Sequence, residues 1–245
     1  MSDLNRGPIP EADPAPVTVR PALKAPAADG GSDAVAQAAS HLHPGLRPTS
    51  LEGSELRLLT EPDLPAYKAL RDGMLARHEH AFTSDAATEQ TRQAASYRHR
   101  LHPEAGGRAL FTLGAWSGDR LVGALTCEAE GRQKVQHIAH LVGMMVDDAQ
   151  QGRGIGRALL QEALSRLRHE PWLELVTLSV TASNAPAVAL YRSMGFVCYG
   201  HLPRAVRLAD GRYLAKELMC LTLRSGDDGP NESLAERQAG GTSAL

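Results

Sequence analysis

A glycine-rich turn between a predicted strand and a predicted helix is the feature that most constrains this chain. The turn covers residues 150–157 and reads QQGRGIGR. Closely spaced glycines let the backbone curl so that several N–H groups point at one spot. The helix that follows adds about half a positive charge at its N-terminus. The turn therefore predicts a binding site for a phosphate or pyrophosphate group.

The segments on both sides of the turn have clear periodicities. Residues 135–146 (VQHIAHLVGMMV) are typical of a long strand, and the glycine inside it, Gly143, indicates a bulge. After the turn, apolar residues recur at the spacing of an amphipathic helix. These residues are Ile155, Leu159, Leu160, Ala163, Leu164 and Leu167.

The remaining periodic segments predict an α/β fold of the α+β kind. Their order, β-α-α-β-β-β-α-β-α-β-β, predicts a mixed sheet that carries helices on both faces. The predicted strands are 54–59, 109–116, 121–129, 135–146, 173–180, 196–200 and 214–223. One predicted helix begins near Glu61, a second runs from about Thr83 to Leu101, a third follows the glycine turn, and a fourth covers 186–194.

The two ends of the chain differ in composition from its middle. Residues 1–50 contain no aromatic side chain and are rich in Pro and Ala, while residues 225–245 are rich in Gly, Asp and Ser. Such segments bury too little apolar surface to offset the entropy lost on ordering. We therefore expect disordered tails at 1–50 and 225–245, and one folded domain at 51–224.

Composition and charge argue against several classes of function. The net charge of −2 gives no sign of binding to nucleic acid or to an anionic membrane. The chain has no apolar run near the ~18 residues of a membrane span and no secretory signal, which predicts a cytoplasmic location. The three cysteines, Cys127, Cys198 and Cys220, fit no zinc pattern, so we expect no metal.

The glycine turn alone does not fix the anion. A kinase-type phosphate loop needs Gly-Lys-Ser/Thr, which is absent here. A dinucleotide fold would begin strand–helix–strand, whereas two helices and a hairpin precede this turn. A third alternative is that the turn binds no anion and only connects the strand to the helix.

A second motif follows the turn by about thirty residues. It reads N-x-x-A-x-x-L-Y-x-x-x-G-F, from Asn184 through Tyr191 to Phe196. Together with Q-x-x-G-x-G at Gln151, Gly154 and Gly156, it resembles the GNAT superfamily of acetyltransferases. The resemblance covers about residues 51–224. The run 197–218 is similar to one bacterial branch of the superfamily, which is mostly of unassigned substrate.

The resemblance implies acetyl-CoA as acyl donor and a mostly antiparallel twisted sheet with splayed central strands. It implies that the pantetheine arm pairs with a strand end like an extra strand, and that Asn184 bonds this arm or steadies the helix behind it. The strand end comprises Met144, Met145 and Val146; the pyrophosphate would be held around Gln151, Gly152, Arg153, Gly154, Ile155, Gly156 and Arg157.

The resemblance also implies direct transfer of the acetyl group to a primary amine, with Tyr191 as general acid. A phenol with a pKa of about 10 is a reasonable proton donor to a thiolate. His140 is the preferred base because histidine titrates near neutrality. His137, Glu128 and a water chain remain open as bases. Relatives that acetylate peptide N-termini often carry a glutamate at the position of Ser179, so this departure weakens that assignment.

The sequence identifies no acceptor. Four arginines of the first two predicted helices could face an acidic acceptor, but a solvated basic face is the preferred explanation; they are Arg71, Arg77, Arg92 and Arg98. His78 and His80 point in different directions on a helix and do not indicate a metal site. The alternative function is a catalytically idle acyl-CoA-binding sensor. The oligomeric state is a separate question: many relatives pair as dimers, which leaves a homodimer as one option.

Overall fold

The computed structural model describes residues 50–51, 54–103 and 110–224 of the 245 residues. The predicted C-terminal tail and all but the last residue of the predicted N-terminal tail lie outside these ranges. The prediction that both tails are disordered is therefore untested.

Eight strands and four α-helices follow one another along the described residues. The strands are β1 (Ser50–Leu51), β2 (Ser54–Leu58), β3 (Phe111–Ser117), β4 (Arg120–Ala129), β5 (Ile138–Val146), β6 (Leu175–Thr181), β7 (Val197–Arg207) and β8 (Tyr213–Thr222). The helices are α1 (Leu64–Arg77), α2 (Ala86–Gln90), α3 (Ile155–His169) and α4 (Ala185–Ser193), with short 3₁₀ helices at 61–63, 79–81, 94–100, 133–135 and 148–150.

All eight strands form one mixed sheet. Their spatial order is β1-β2-β3-β4-β5-β6-β8-β7. Only the central pair β5–β6 is parallel, and every other neighbouring pair is antiparallel. The predicted fold class, a mixed and mostly antiparallel sheet with helices, is confirmed.

Helices cover the two faces of the sheet with separate apolar cores. On one side, which we call the α3 face, α3 and α4 pack on inward residues of β3 to β6, among them Leu113, Leu141 and Val176. On the other side, the α1 face, α1 and the 94–100 segment pack on Ala124 and Met145. The alternation of inward residues along each strand separates the two cores.

One predicted helix was wrong. Residues 83–101 do not form a continuous helix but contain α2 and the 3₁₀ segment 94–100, separated by a break. Gln93 takes an extended conformation at this break (φ −82°, ψ 152°), which no α-helix can accommodate. The segment has few apolar positions, so no stripe along it would hold a long helix against the sheet.

Candidate active site

The central strands β5 and β6 separate after a short parallel contact. They pair only at Ile138–Leu175, Ala139–Val176 and His140–Thr177. Beyond His140, β5 continues beside β4, while β6 continues beside β8 as far as Thr181. A V-shaped opening therefore begins at His140, and within the described residues the β6-side edge of 141–146 has no strand partner. These are the splayed central strands that the family resemblance implied.

A bulge at Gly143 re-aims the open part of β5. Val142 pairs with Thr126 and Met145 pairs with Ala124, so two residues, Gly143 and Met144, lie opposite one. Gly143 has a φ of +61°, the left-handed conformation that glycine accepts without strain. The bulge predicted from this glycine is confirmed. Because of it, Met144 packs towards the α3 face and Met145 towards the α1 face.

The glycine turn presents a row of free backbone donors to open space. Gly152 and Gly154 have φ values of +76° and +80°, and Gly154 is the N-cap of α3. A Cβ placed on either glycine would meet no atom within 4 Å. No described residue accepts a hydrogen bond from the backbone N–H groups of residues 152–157. The turn can therefore receive an anion at the positive end of α3.

Other members of the turn have internal partners. A Cβ on Gly156 would lie 3.1 Å from the Met144 Cε atom, so glycine lets α3 approach β5 closely. Gln151 donates through Nε2 to the Asp148 carboxylate (2.9 Å). Arg157 donates to the Ser193 hydroxyl (2.9 Å) and joins α3 to α4, whereas Arg153 is exposed. The backbone of the turn is thus freer to bind a ligand than its side chains.

The predicted acid, Tyr191, lies in α4 with its hydroxyl at the opening. The hydroxyl donates to the Met144 Sδ atom (3.3 Å), and the ring packs edge-on against Phe196. Burial raises the pKa of Tyr191 to about 12, so the phenol keeps its proton at neutral pH. Asn184 is the N-cap of α4, and its side chain accepts a hydrogen bond from the backbone N–H of Ala187 (3.3 Å).

The preferred base, His140, lies at the apex of the opening on the other face of the sheet. Its Nδ1 atom is 2.6 Å from the Thr177 hydroxyl, and its Nε2 atom is 3.3 Å from the Glu130 carboxylate. Thr177 faces away from the α3-side core that holds Val176 and Leu178. His140 and Tyr191 therefore approach the opening from opposite faces of the sheet.

The alternative bases are placed less favourably. Glu128 lies beside His140 in the sheet, but its carboxylate accepts a hydrogen bond from Arg100 (2.8 Å). His137 precedes β5 at the closed end of the β5–β6 contact, where its carbonyl accepts from the backbone of Glu174 (3.0 Å). Among the predicted candidates, His140 is the one that the structure brings to the opening.

The four arginines considered for acceptor binding all have acidic partners. Arg71 and Arg92 contact Glu89 at 2.9 and 3.3 Å. Arg77 pairs with Asp148 (2.6 Å), and Arg98 pairs with Glu61. Internal pairing accounts for these cations without an acidic acceptor.

Sequence analysis did not identify Lys216 of β8, which lies on the α1 face of the sheet. Its ammonium donates to the Thr83 hydroxyl (2.5 Å) and to the Ser179 hydroxyl (3.4 Å), and burial lowers its pKa. No described carboxylate lies within 4.0 Å of it. A single lysine in an apolar strand carries no motif, so only the folded chain shows this position.

The residues that the structure describes contain no group of three or more His, Cys, Asp or Glu side chains arranged to hold a metal ion. His78 instead contacts the Asp148 carboxylate (2.6 Å). None of the helices in the described part of the chain has the length and apolarity that crossing a bilayer requires.

Comparison with known proteins places this architecture in a family. The family model "Acetyltransferase (GNAT) family" matches residues 72–196, just over half of the 245 residues. The chain is 42% identical over 98 residues to the N-alpha-acetyltransferase RimI of Mycobacterium tuberculosis, covering 40% of this chain and 58% of that protein. It is 34% identical over 170 residues to the mycothiol acetyltransferase of Beutenbergia cavernae, covering 64% and 54%.

A third relative, the L-amino acid N-acetyltransferase AaaT of Escherichia coli, is 30% identical over 94 residues, with 38% of this chain and 57% of that protein covered. In each case the chain spans little more than half of the relative's length. Among solved structures, a GNAT-family acetyltransferase from Streptococcus pneumoniae matches with a TM-score of 0.62 at 23% identity, covering 69% of this chain and 98% of that one. The yncA protein of Salmonella typhimurium, solved with acetyl-CoA, matches with a TM-score of 0.58 at 20% identity, covering 73% and 98%.

Proposed function

Because this chain belongs to the GNAT acetyltransferase family, we propose that it transfers the acetyl group of acetyl-CoA to a primary amine. One observation carries the proposal: the β5–β6 opening is bordered by the free donors of residues 152–157 and by the hydroxyl of Tyr191. An anion site, an unpaired strand edge and a proton donor thus lie around one opening.

The residues present fit an extended acyl-CoA. The backbone donors of the turn would hold its pyrophosphate at the N-terminus of α3. The free edge of β5 at Met144, Met145 and Val146 would bond the amide-containing arm as an added strand does. Gly152 and Gly154 leave space for the phosphates, since a Cβ there would meet nothing within 4 Å. In this arrangement Asn184 keeps the start of α4 in place through its capping bond.

Acetyl-CoA supplies an activated acyl group, and the protein must manage two protons. The acceptor amine loses one proton as its nitrogen bonds to the acyl carbon, and the departing sulfur gains one as the carbon–sulfur bond breaks. His140 would take the first proton on the α1 face, directly or through water. Tyr191 would give the second on the α3 face, and its raised pKa keeps it in the protonated form that this role needs.

The acceptor is proposed only as a primary amine. The relatives are an N-alpha-acetyltransferase, an L-amino acid N-acetyltransferase and mycothiol acetyltransferases. Their names indicate different acceptors. Ser179, where some peptide-acetylating relatives carry glutamate, argues against a peptide N-terminus. A panel of small amines, amino acids and peptides is therefore the appropriate screen.

Calorimetric titration of the purified chain with acetyl-CoA, and with CoA alone, tests the proposal. We expect micromolar binding, and Gly154→Glu to weaken it by at least about 100-fold, because the new carboxylate lies where the pyrophosphate binds. Gly118→Glu is the matched control. Gly118 also has a positive φ (+56°) and open space around it, but it lies in the β3–β4 turn.

Each result of this titration has a definite meaning. Equal losses in the two variants would show that general strain, not the turn, controls binding. No binding by the wild-type chain at millimolar ligand would refute the acetyltransferase proposal. Binding without thiol release across the amine panel would favour the idle acyl-CoA sensor.

A further inference from the structure

A buried tyrosine hydroxyl on the α1 face has no hydrogen-bond partner. Tyr67 of α1 is 1% exposed, and its Oη atom exposes less than 1 Å² to solvent. No described residue forms a hydrogen bond with this atom. A buried hydroxyl without a partner destabilises the fold, so native proteins rarely keep one that has no role.

The position of this hydroxyl connects it with the β5–β6 opening. A Cβ built on Gly143 would lie 3.7 Å from Tyr67 Oη and would meet no other described atom within 4 Å. The hydroxyl is therefore directed at the bulge of β5. A bulge leaves its extra residue outside the strand ladder, so a backbone N–H at Gly143 or Met144 is also available there. Two kinds of donor converge at the start of the opening.

A neighbouring tyrosine shows what a purely structural hydroxyl looks like here. Tyr97 packs edge-on against Tyr67 with ring centroids 5.4 Å apart. Its hydroxyl donates to the Glu89 carboxylate (2.6 Å), which Arg71 also contacts. The same face of the sheet thus holds one tyrosine tied into a buried network and one whose donor is left free at the bulge.

We propose that the Tyr67 hydroxyl donates a hydrogen bond to the thioester carbonyl oxygen of bound acetyl-CoA and stabilises the negative charge that grows on it. The proposal rests on the acetyltransferase function proposed above. Tyr67 acts as a hydrogen-bond donor, not as an acid, together with the backbone N–H of the bulge. A donor fixed before the reaction stabilises this charge without reorganisation, and the enclosed position strengthens the bond.

The test compares acetyl-CoA with CoA, because only acetyl-CoA carries the carbonyl. Calorimetry should show that the wild-type chain binds acetyl-CoA about 2–10-fold more tightly than CoA. Tyr67→Phe should abolish this preference and leave the affinity for CoA unchanged. With the best amine of the panel, the same variant should lower kcat by about 100-fold. Its thermal midpoint should not fall, since the hydroxyl it removes has no partner.

Tyr97→Phe is the matched control. It removes a bonded hydroxyl, so it should lower the thermal midpoint and keep the preference for acetyl-CoA. A wild-type chain that does not distinguish the two ligands, or a Tyr67→Phe variant that keeps the wild-type preference, would overturn the proposal. Absence of any CoA binding is a separate result, because it refutes the acetyltransferase function itself.

Discussion

The two faces of the sheet use polar groups in different ways. On the α3 face, the polar groups at the opening are backbone donors of a glycine turn and one tyrosine hydroxyl whose partner is a thioether. On the α1 face, most of the buried polar side chains named above are bonded to one another, as in the Arg71–Glu89–Tyr97 network and the Thr112–Thr126 pair, and the Tyr67 hydroxyl is the exception.

This difference separates function from stability. Groups left without strong partners in the folded chain are available to a ligand, so changing them should alter binding or turnover with little effect on folding. Groups bonded inside the protein hold it together, so changing them should lower the free energy of unfolding. Substitutions on the two faces can test this division.

The largest expected effect belongs to the α3 face. Tyr191→Phe should lower turnover by about 10²–10⁴-fold, because the departing sulfur loses its proton donor. Acetyl-CoA affinity should change little. The free energy of unfolding should change by less than about 1 kcal/mol, because a thioether is a weak acceptor. Thiol release with the best amine and denaturant unfolding provide the two measurements.

Tyr199→Phe serves as the control for this change, because Tyr199 is exposed on β7. It should behave like the wild type in both assays. Unchanged turnover in Tyr191→Phe would remove this tyrosine from the mechanism. A large loss of stability instead would mean that the hydroxyl supports the fold, and the division between the faces would fail.

The second effect belongs to the α1 face. Arg71→Met should lower the free energy of unfolding by about 3–5 kcal/mol, because it leaves the Glu89 carboxylate buried without its main cation. Burial opposes ionisation of Glu89, but hydrogen bonds from Tyr97 and Arg71 outweigh it and hold the pKa of this carboxyl below its usual value. Chemical denaturation at neutral pH measures the loss.

Arg92→Met is the matched control for Arg71→Met, because Arg92 contacts the same Glu89 carboxylate at 3.3 Å but its side chain is 47% exposed. An exposed pair contributes at most about 1 kcal/mol. The folded Arg71→Met protein should still bind CoA, because the glycine turn lies on the other face. Equal losses in the two variants would show that burial does not decide the contribution of this ion pair.

The sequence predicted the α3 face well because that face is built from local signals. Helical spacing from Ile155 to Leu167 defined α3, and glycines at 143, 152 and 154 marked positions with positive φ. Each of these features depends on residues close together in the chain. The fold class and the position of the opening followed from the order of such elements and from the family resemblance.

The α1 face was predicted poorly because its stability comes from pairs distant in sequence. Arg71 and Glu89 are 18 residues apart, and Lys216 lies 133 residues from Thr83. The segment 83–101 therefore appeared as one helix, whereas buried pairing through Glu89 and Tyr97 fixes two short pieces. The free hydroxyl of Tyr67 is also invisible in the sequence, since a tyrosine at that helical position is typical of a core.

The smallest effect concerns Asp148, which links the two faces. Its carboxylate contacts Arg77 and His78 at the end of α1, and the Gln151 side chain donates to it from the glycine turn. The hydrogen bonds from His78 and Arg77 lower the pKa of Asp148. Asp148→Asn should lower the free energy of unfolding by less than about 1 kcal/mol at pH 7, because the cluster is exposed to solvent.

The sign of the pH dependence identifies the cause of this loss. A carboxyl with a lowered pKa stabilises the folded state above its ordinary value, 3.8, and loses that contribution as the pH falls through the lowered value. The difference in unfolding free energy between wild type and Asp148→Asn should therefore persist from pH 7 to about pH 4 and vanish in stronger acid. It should also shrink in 1 M salt, where charges more than ~3 Å apart are screened. A difference that stays constant with pH and salt would show that the shape of the side chain, not its charge, joins the two faces.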